Sequence, residues 1–246
     1  MRVGVTLPQF QDGADEAIDA ARRAERLGLD GVFCFDHLWP IGHPGSPALA
    51  AAPLLGALAA ATSTISVGAL VARVGLVPDA TLASMLAGLS AMSGGRFIAG
   101  IGTGDHLSRA ENEAFGVPFE AADVRRRRVA AVAGAVLPLG IPVWVGGGRP
   151  EMVAVARSLG AAVNLWEADP ARVAELVSSG LEVTWGGPVG RDPGRIEEHL
   201  ARLAAAGAGW SVCAWPDSLE AVAEAAGALR ARSGDDPMSG NAGTAQ

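Results

Sequence analysis

The sequence lacks two residue types altogether: it has no lysine and no tyrosine, and all 19 of its basic residues are arginine. Without lysine the chain has no Schiff-base nucleophile, no anchor for pyridoxal phosphate and no Walker A phosphate loop. Without tyrosine it has no phenolic general acid of the kind that many carbonyl reductases use. Much of the chemistry that α/β barrels commonly catalyse is therefore excluded.

Cysteine is scarce. Cys34 and Cys213 lie far apart within apolar runs, which predicts buried thiols in a reducing compartment and no disulfide framework or metal site. The N-terminal residues form a strand pattern without a signal-peptide layout, so we expect a cytoplasmic protein. The Ala-rich stretch Leu49–Ala61 is shorter than the roughly 20 residues that span a bilayer, so we expect no membrane partner.

Positive charge is also limited, since the formal net charge is −7. This balance argues against a nucleic-acid-binding surface, which would carry clustered basic residues. The run Arg125–Arg128 is the exception. We interpret it as the solvated first turn of a helix in preference to a patch that binds a phosphate or an anionic tail.

The remaining sequence alternates short β-rich runs with longer segments of helical period, a pattern typical of β/α units around a parallel sheet. The predicted strands are Val3–Leu7, Gly31–Phe35, Ile65–Leu70, Arg96–Ile101, Val143–Val145, Ala161–Leu165, Leu181–Trp185 and Trp210–Ala214. The predicted helices are Ala14–Leu27, Pro47–Ala61, Asp79–Met92, Asp123–Leu137, Pro150–Leu159, Pro170–Ser178, Arg195–Ala206 and Leu219–Arg232. Eight such units in about 250 residues predict a single (β/α)₈ TIM barrel over residues 1–232, followed by a disordered tail over 233–246.

Two predicted loops are long for a barrel, and both follow the C-terminal ends of strands, where barrel active sites form. They run from Asp36 to Ser46 and from Gly102 to Ala122, the second with a short helix near Arg109–Ala114. These loops contain three of the four histidines, and aspartate precedes two of the three; the residues are His37, His43 and His106 with Asp36 and Asp105. Their convergence on one end of the barrel indicates proton-transfer chemistry for at least one of them. Tryptophans in the same region, Trp39 and Trp166 among them, suit a flat aromatic ligand.

A glycine-rich turn follows the fifth predicted strand. The segment Gly146-Gly147-Gly148-Arg149-Pro150 places free backbone N–H groups and one arginine at the start of a helix, an arrangement that favours anions such as phosphate. Barrel phosphate sites more often follow strands 7 and 8. The segment Trp185-Gly186-Gly187-Pro188 is therefore a competing candidate.

Five segments together resemble the bacterial-luciferase-like oxidoreductase superfamily, whose members use FMN or the deazaflavin coenzyme F420. They are Val3–Pro8, Ala24–Leu38, Val67–Val71, Leu89–Gly104 with its Ser-Gly-Gly-Arg-Phe block, and Ile141–Gly147. The run Glu113–Pro118 also fits the pattern. The resemblance is nearly continuous from Met1 to about Trp166 and thinner beyond.

The resemblance implies a flavin or deazaflavin ring in the mouth of the barrel, with the cofactor phosphate at the triple glycine, and a non-prolyl cis peptide at Leu70–Val71 behind the ring. The implied cofactor-binding residues are Leu70, Val71, Thr103, Gly104, Gly146, Gly147, Gly148, Arg149 and Trp166. It implies that His37 and Asp105 handle protons, that Asp36 orients His37, and that Trp39 and His106 lie beside a small-molecule substrate. The acidic residue after Gly-x-Gly and the arginine-rich surface favour F420, whose tail is anionic.

The chain departs from that family in two places. The segment Val136–Gly140 connects the fourth barrel helix directly to strand 5, where the family usually carries further substrate-binding structure, so we expect a shortened barrel. Ala72 and Arg73 replace the hydroxyl and proline that are common after strand 3. A shortened barrel is compatible with an open site, a wall borrowed from a homodimer partner, or the loss of catalysis in a flavin-binding or structural paralogue.

A third interpretation is a metal-dependent barrel hydrolase or isomerase that uses Asp36, His37, Asp105 and His106. It is disfavoured because the first strand lacks the His-x-His of many such hydrolases. The resemblance implies an oxidoreductase that uses F420 or FMN for hydride transfer or monooxygenation of a small organic substrate. This redox interpretation makes one geometric demand, which is that Asp36, Asp105 and Gly147 line a single cavity.

Overall fold

Eight parallel strands form a closed barrel in a computed structural model that describes residues 1–215 and 218–233. Each strand pairs with the next along the chain, and β1 closes the barrel by pairing with β8. The strands are β1 Arg2–Thr6, β2 Gly31–Cys34, β3 Ser66–Arg73, β4 Phe97–Gly102, β5 Val143–Gly146, β6 Ala162–Trp166, β7 Val183–Gly187 and β8 Trp210–Cys213. The predicted (β/α)₈ barrel is therefore confirmed.

Nine helices among the described residues surround this barrel. They are α1 Asp15–Arg26, α2 Ala51–Ala61, α3 Asp79–Met92, α4 Ser108–Ala114, α5 Ala122–Val136, α6 Pro150–Leu159, α7 Pro170–Ser178, α8 Pro193–Ala205 and α9 Leu219–Ser233. Only a 3-10 helix, Leu137–Leu139, and three further residues separate α5 from β5, so the predicted shortening is confirmed. Apart from Ser233, the predicted tail lies outside the described residues.

Several element boundaries differ from the prediction, and three of them have a clear local reason. Helix α2 begins at Ala51, not Pro47, because the Leu49 N–H donates to the carbonyl of Gln9 at 2.8 Å and keeps the preceding segment extended. Strand β3 continues past Leu70 because pairing with β4 resumes at Ala72 after a bulge. Helix α8 begins at Pro193 because the side chain of Asp192 caps its first turn.

Aromatic rings fill the lower interior of the barrel. Phe33 stacks on Trp144 with ring centroids 5.2 Å apart, and Trp210 meets Phe33 edge-on at 5.8 Å. Glycines make this packing possible, since a Cβ at Gly68 of the neighbouring strand β3 would lie 2.6 Å from Phe33, and one at Gly31 of β2 would lie 2.9 Å from Trp210. Aromatic side chains therefore fill the interior below the C-terminal ends of the strands, where barrel active sites form.

Arg96 of the Ser-Gly-Gly-Arg-Phe block lies at the other end of the barrel. Its guanidinium donates to the carbonyls of Ala59, Thr62 and Ile65, which closes the C-terminus of α2. This family-typical segment therefore serves the fold. Within residues 1–215 and 218–233, none of the helices combines the length and apolar character that crossing a bilayer requires.

Candidate functional site

A two-lobed cavity opens at the C-terminal ends of the strands. One part, of about 530 Å³, is lined by Asp36, Asp105 and Gly147 among others, so the geometric demand of the redox interpretation is met. A second part, of about 510 Å³, shares residues with the first. The shared residues are Thr103, Gly104, Asp105, Gly146 and Gly147. Each volume lies within the range of small-molecule sites.

We call the first part the aromatic lobe, because Phe10, Phe35 and Trp166 form one of its walls. Phe10 stacks on Phe35 at 6.2 Å, and Trp166 meets Phe35 edge-on at 5.6 Å. Leu70 and Val71 line the same lobe. Both belong to the β3 bulge, and the peptide bond that joins them is cis, as the resemblance implied.

The backbone beside this bulge leaves no room for side chains. A Cβ at Gly102 would lie 2.3 Å from Val71 Cγ2, and one at Gly146 would lie 3.0 Å from Val71 Cγ1. Strands β4 and β5 therefore approach the bulge closely because both carry glycine there. The result is a smooth, shallow floor that suits a flat ring.

A buried ionic cluster supports the side of the aromatic lobe. Glu111 of α4 accepts a hydrogen bond from His37, whose Nδ1 lies 3.1 Å from Glu111 Oε2. The other carboxylate oxygen, Oε1, accepts from the amides of Leu38 and Trp39. Arg73 places Nη1 3.0 Å from Glu111 Oε2. The Glu111 and Arg73 side chains are only 1% and 5% exposed.

Glu111 is ionised in this environment. Burial alone would raise the pKa of its carboxyl, but the hydrogen bonds from His37 and Leu38 and the charge of Arg73 outweigh burial and lower it. The carboxylate fixes His37 by its Nδ1 atom. This leaves Nε2 as the ring nitrogen available to the cavity, where His37 forms part of the lining.

Asp36 has a different partner from the one expected. Its Oδ2 accepts from the backbone N–H of Arg73 at 2.8 Å, and Arg73 Nε donates to its backbone carbonyl. Burial raises the pKa of Asp36, although the Arg73 amide and the Arg73 charge oppose that shift. Asp36 therefore joins the end of β2 to the end of β3, while Glu111 takes the His37-orienting position assigned to Asp36 from the sequence.

The second part of the cavity is the arginine lobe, lined by Arg109, Arg125, Arg126 and Arg149 with the carboxylates of Asp105 and Glu151. Gly146–Gly148 lead into α6, whose first residue is Pro150, so the N-terminus of this helix lies at the lobe. Gly147 has a φ of 116°, a conformation that favours glycine. The Gly147 N–H donates to the carbonyl of Asn164 at 3.0 Å, so this amide is not free, although the sequence predicted free amides here. The arginines and the helix N-terminus together favour an anionic group here.

The four-arginine run is divided among several roles. Arg125 Nη1 donates to the carbonyls of Thr103 and Gly104 at 2.6 and 3.0 Å. Arg126 lines the arginine lobe, and Arg128 is tied to Asp79 of α3. Only Arg127, exposed and paired with Asp123, fits the interpretation of a solvated helix turn.

Other residues singled out from the sequence lie around the cavity in different ways. Asp105 Oδ1 accepts from the amides of Leu107 and Ser108 at the start of α4 and sits where the lobes meet. His106 lines the arginine lobe, away from the aromatic wall. Trp39 packs on Phe115, 5.8 Å between centroids, and is not part of the described lining of either lobe.

The glycines Gly186 and Gly187, the competing phosphate candidate, lie buried at the end of β7 and outside the lining that the structure describes for both lobes. In the described part of the chain, no group of three or more His, Cys, Asp or Glu side chains is placed to hold a metal ion. Asp36 and Asp105, named in the metal interpretation, are hydrogen-bonded to backbone amides.

Sequence reasoning missed the central acid of the site. Glu111 lies 74 residues from His37, inside a short helix with several charged residues, and its spacing alone does not distinguish it from Glu113. The available signal was Arg73, an arginine at the end of a buried strand, which requires a buried acidic partner. Phe10 and Phe35 were also missed, although both follow strand C-termini.

Comparisons with known proteins agree with this architecture. A protein named "F420-dependent glucose-6-phosphate dehydrogenase" from Microbacterium testaceum (strain StLB037) is 37% identical over 113 residues. That match covers 44% of this chain and 32% of the relative, so the aligned part spans about a third of the relative's length. A second relative of the same name, from Nakamurella multipartita, shows the same identity and coverage.

Among solved structures, an F420-dependent secondary alcohol dehydrogenase in complex with an F420–acetone adduct superimposes with a TM-score of 0.80 at 16% identity, covering 93% of this chain and 99% of that one. At such identity the likeness shows a shared fold. The family model of luciferase-like monooxygenases matches residues 1–132, more than half of the 246 residues. The chain therefore belongs to the luciferase-like monooxygenase family.

Proposed function

We propose that this protein is an oxidoreductase that binds coenzyme F420, or alternatively FMN, and transfers hydride to or from a small organic molecule. The observation that carries the proposal is the two-lobed cavity. One lobe joins a smooth floor to a histidine held by a buried carboxylate, and the other gathers arginines at a helix N-terminus. The first suits a redox-active ring and the second suits its anionic tail.

The residues present fit such a cofactor. Because Gly102 and Gly146 have no side chains of their own, the floor beside them is formed by the apolar side chain of Val71, against which a flat ring can lie. The arginine lobe carries four arginines in a chain whose net charge is −7, so its positive charge is locally concentrated. An attraction of this kind strengthens with the number of negative charges on the ligand.

That charge argument favours F420, whose tail is anionic along its length, over FMN with its single phosphate. The names of the matched dehydrogenases point the same way. FMN stays as the second candidate because the family model that matches this chain is that of luciferase-like monooxygenases.

The chain's own residues would divide the work as follows. The bound cofactor supplies the two-electron chemistry. Glu111 holds His37 through Nδ1, so that Nε2 can accept a proton from a substrate hydroxyl or return it to a carbonyl oxygen. Arg73 stabilises the ionised form of Glu111, and Asp36 holds the backbone of Arg73 in place. Asp105 lines both lobes, where it would assist proton transfer.

Titration of the purified protein with F420 and with FMN, followed by cofactor fluorescence, tests the proposal. We expect saturable binding of F420, weakened about tenfold by Arg149→Ala and by Arg126→Ala, because each removes a cation from the tail site. Arg127→Ala is the matched control: it is adjacent in sequence but paired with Asp123 at the surface, so affinity is expected to stay the same. Failure of both cofactors to bind would refute the proposed function.

A further inference from the structure

The open side of the aromatic lobe carries exposed apolar side chains. Phe10, Ile41 and Trp166, which we call the apolar rim, are 37%, 50% and 44% exposed, and all three line the lobe. Large apolar side chains gathered at the mouth of one cavity are characteristic of ligand sites, since each gains stability when a ligand covers it. Trp166 is held in place by a 2.8 Å hydrogen bond from its Nε1 to Glu167 Oε1.

The ionisable groups of this lobe do not suit a phosphorylated substrate. Among the described residues that line it, the one arginine is Arg73, which is buried and already paired with Glu111. The other ionisable side chains of the lining include the carboxyl groups of Asp36 and Asp105, which offer no positive charge to a phosphate. A phosphate dianion placed here would lose its hydration without gaining a cation, which is costly. The remaining arginines lie in the arginine lobe, where the proposed cofactor tail would engage them.

His37 offers a polar contact to a substrate in this lobe. His37 Nε2 can hydrogen-bond a hydroxyl or carbonyl oxygen, and the rest of the wall offers Phe10, Phe35 and Trp166. A ligand that satisfies both features has one oxygen at its reacting carbon and an apolar body long or broad enough to reach the rim.

We infer that the substrate is an uncharged alcohol, or the matching ketone or aldehyde, with an apolar or aromatic body that packs on the apolar rim. This inference rests on the proposed function, because it assigns the substrate of the same site. In the oxidative direction, the carbinol C–H bond breaks and its hydride, with two electrons, passes to the bound cofactor. The hydroxyl proton passes to His37 Nε2, and a C=O bond forms. Reduction of the carbonyl is the reverse.

Calorimetric binding of 4-phenyl-2-butanone tests the inference, both to the free protein and to protein saturated with oxidised cofactor, a pairing that cannot react. We expect saturable binding that weakens about tenfold in Trp166→Ala and in Phe10→Ala, because each removes an aromatic contact surface. Leu139→Ala, a similarly exposed apolar position just before β5 at the opposite end of the barrel, is the matched control and should bind like the wild type. Glucose 6-phosphate, measured in parallel, should show no saturable binding.

The inference is overturned if glucose 6-phosphate binds more tightly than the ketone, or if ketone binding is absent or unchanged in both rim variants. Because the ketone is also measured without cofactor, this result is independent of the cofactor titration. Ketone binding at the rim together with no binding of F420 or FMN would refute the proposed function alone. Rim variants are exposed, and their thermal unfolding verifies that they fold.

Discussion

Replacing Glu111 by alanine is expected to lower the free energy of unfolding by about 3–5 kcal/mol, the usual loss when one member of a buried ion pair is removed. The structure explains the size of this loss in stability. The substitution leaves the Arg73 guanidinium buried with its Nη1 reduced to one neutral contact, 3.3 Å from Asn112 Oδ1. Arg73 Nη2 already has no hydrogen-bond partner among the described residues. The amides of Leu38 and Trp39 also lose their acceptor.

For a chain of this size, 1 kcal/mol corresponds to roughly 2–4 °C in Tm, so Glu111→Ala should melt about 6–20 °C below the wild type. Urea unfolding followed by circular dichroism gives the free energy directly. Glu113→Ala is the matched control. It lies on the same short helix but is exposed, 3.9 Å from Arg109, so its loss should stay within about 0.5 kcal/mol.

The double variant Arg73→Leu with Glu111→Leu separates ion pairing from packing. Exchanging both charges for apolar groups removes the uncompensated charge, so it should recover part of the stability lost in Glu111→Ala. The reasoning is refuted if Glu111→Ala is no more destabilising than Glu113→Ala. The pKa of Glu111 is lowered in the folded state, so its stabilising effect is complete above the ordinary carboxyl pKa and is lost as the pH falls from there through the lowered pKa of the folded state.

Three further substitutions, at Glu25, Gly102 and His37, test local contacts of the barrel and the site. Burial would raise the pKa of Glu25, but hydrogen bonds from three backbone amides outweigh it and lower the pKa to about 2. Glu25→Gln should therefore lower the free energy of unfolding, measured with urea at neutral pH, by roughly 1 kcal/mol. This difference should fade as the pH falls toward 2. Gly102→Ala should lower the free energy of unfolding by about 1–3 kcal/mol and weaken cofactor binding, because the added Cβ would displace Val71. Gly88→Ala is the control, since Gly88 has open space around it and the substitution should not destabilise the fold. His37→Gln should lower kcat by a factor of about 10²–10⁴ with an unchanged cofactor Kd. Equal kcat values would refute the role given to His37, whereas cofactor binding without any turnover by the wild type would support the non-catalytic paralogue.

The architecture was accessible from the sequence because it depends on local periodicity. Alternating strands and helices predicted eight β/α units, and all eight are present. The short connection Val136–Gly140 likewise predicted the shortened barrel. The resemblance to a known family placed the cis peptide at Leu70–Val71 correctly. Each of these features is encoded within a few consecutive residues, so no long-range contact was needed to read it.

The partners within the site were decided by tertiary structure. His37 was singled out from the sequence, but the choice of Glu111 over Asp36 as its partner depends on how α4 folds back over the end of β2. The same folding sends Trp39 against Phe115 and away from the cavity. The physical reason is that a hydrogen bond or ion pair depends on distances of a few ångströms between segments tens of residues apart, whereas strand and helix patterns depend on the residues next to one another.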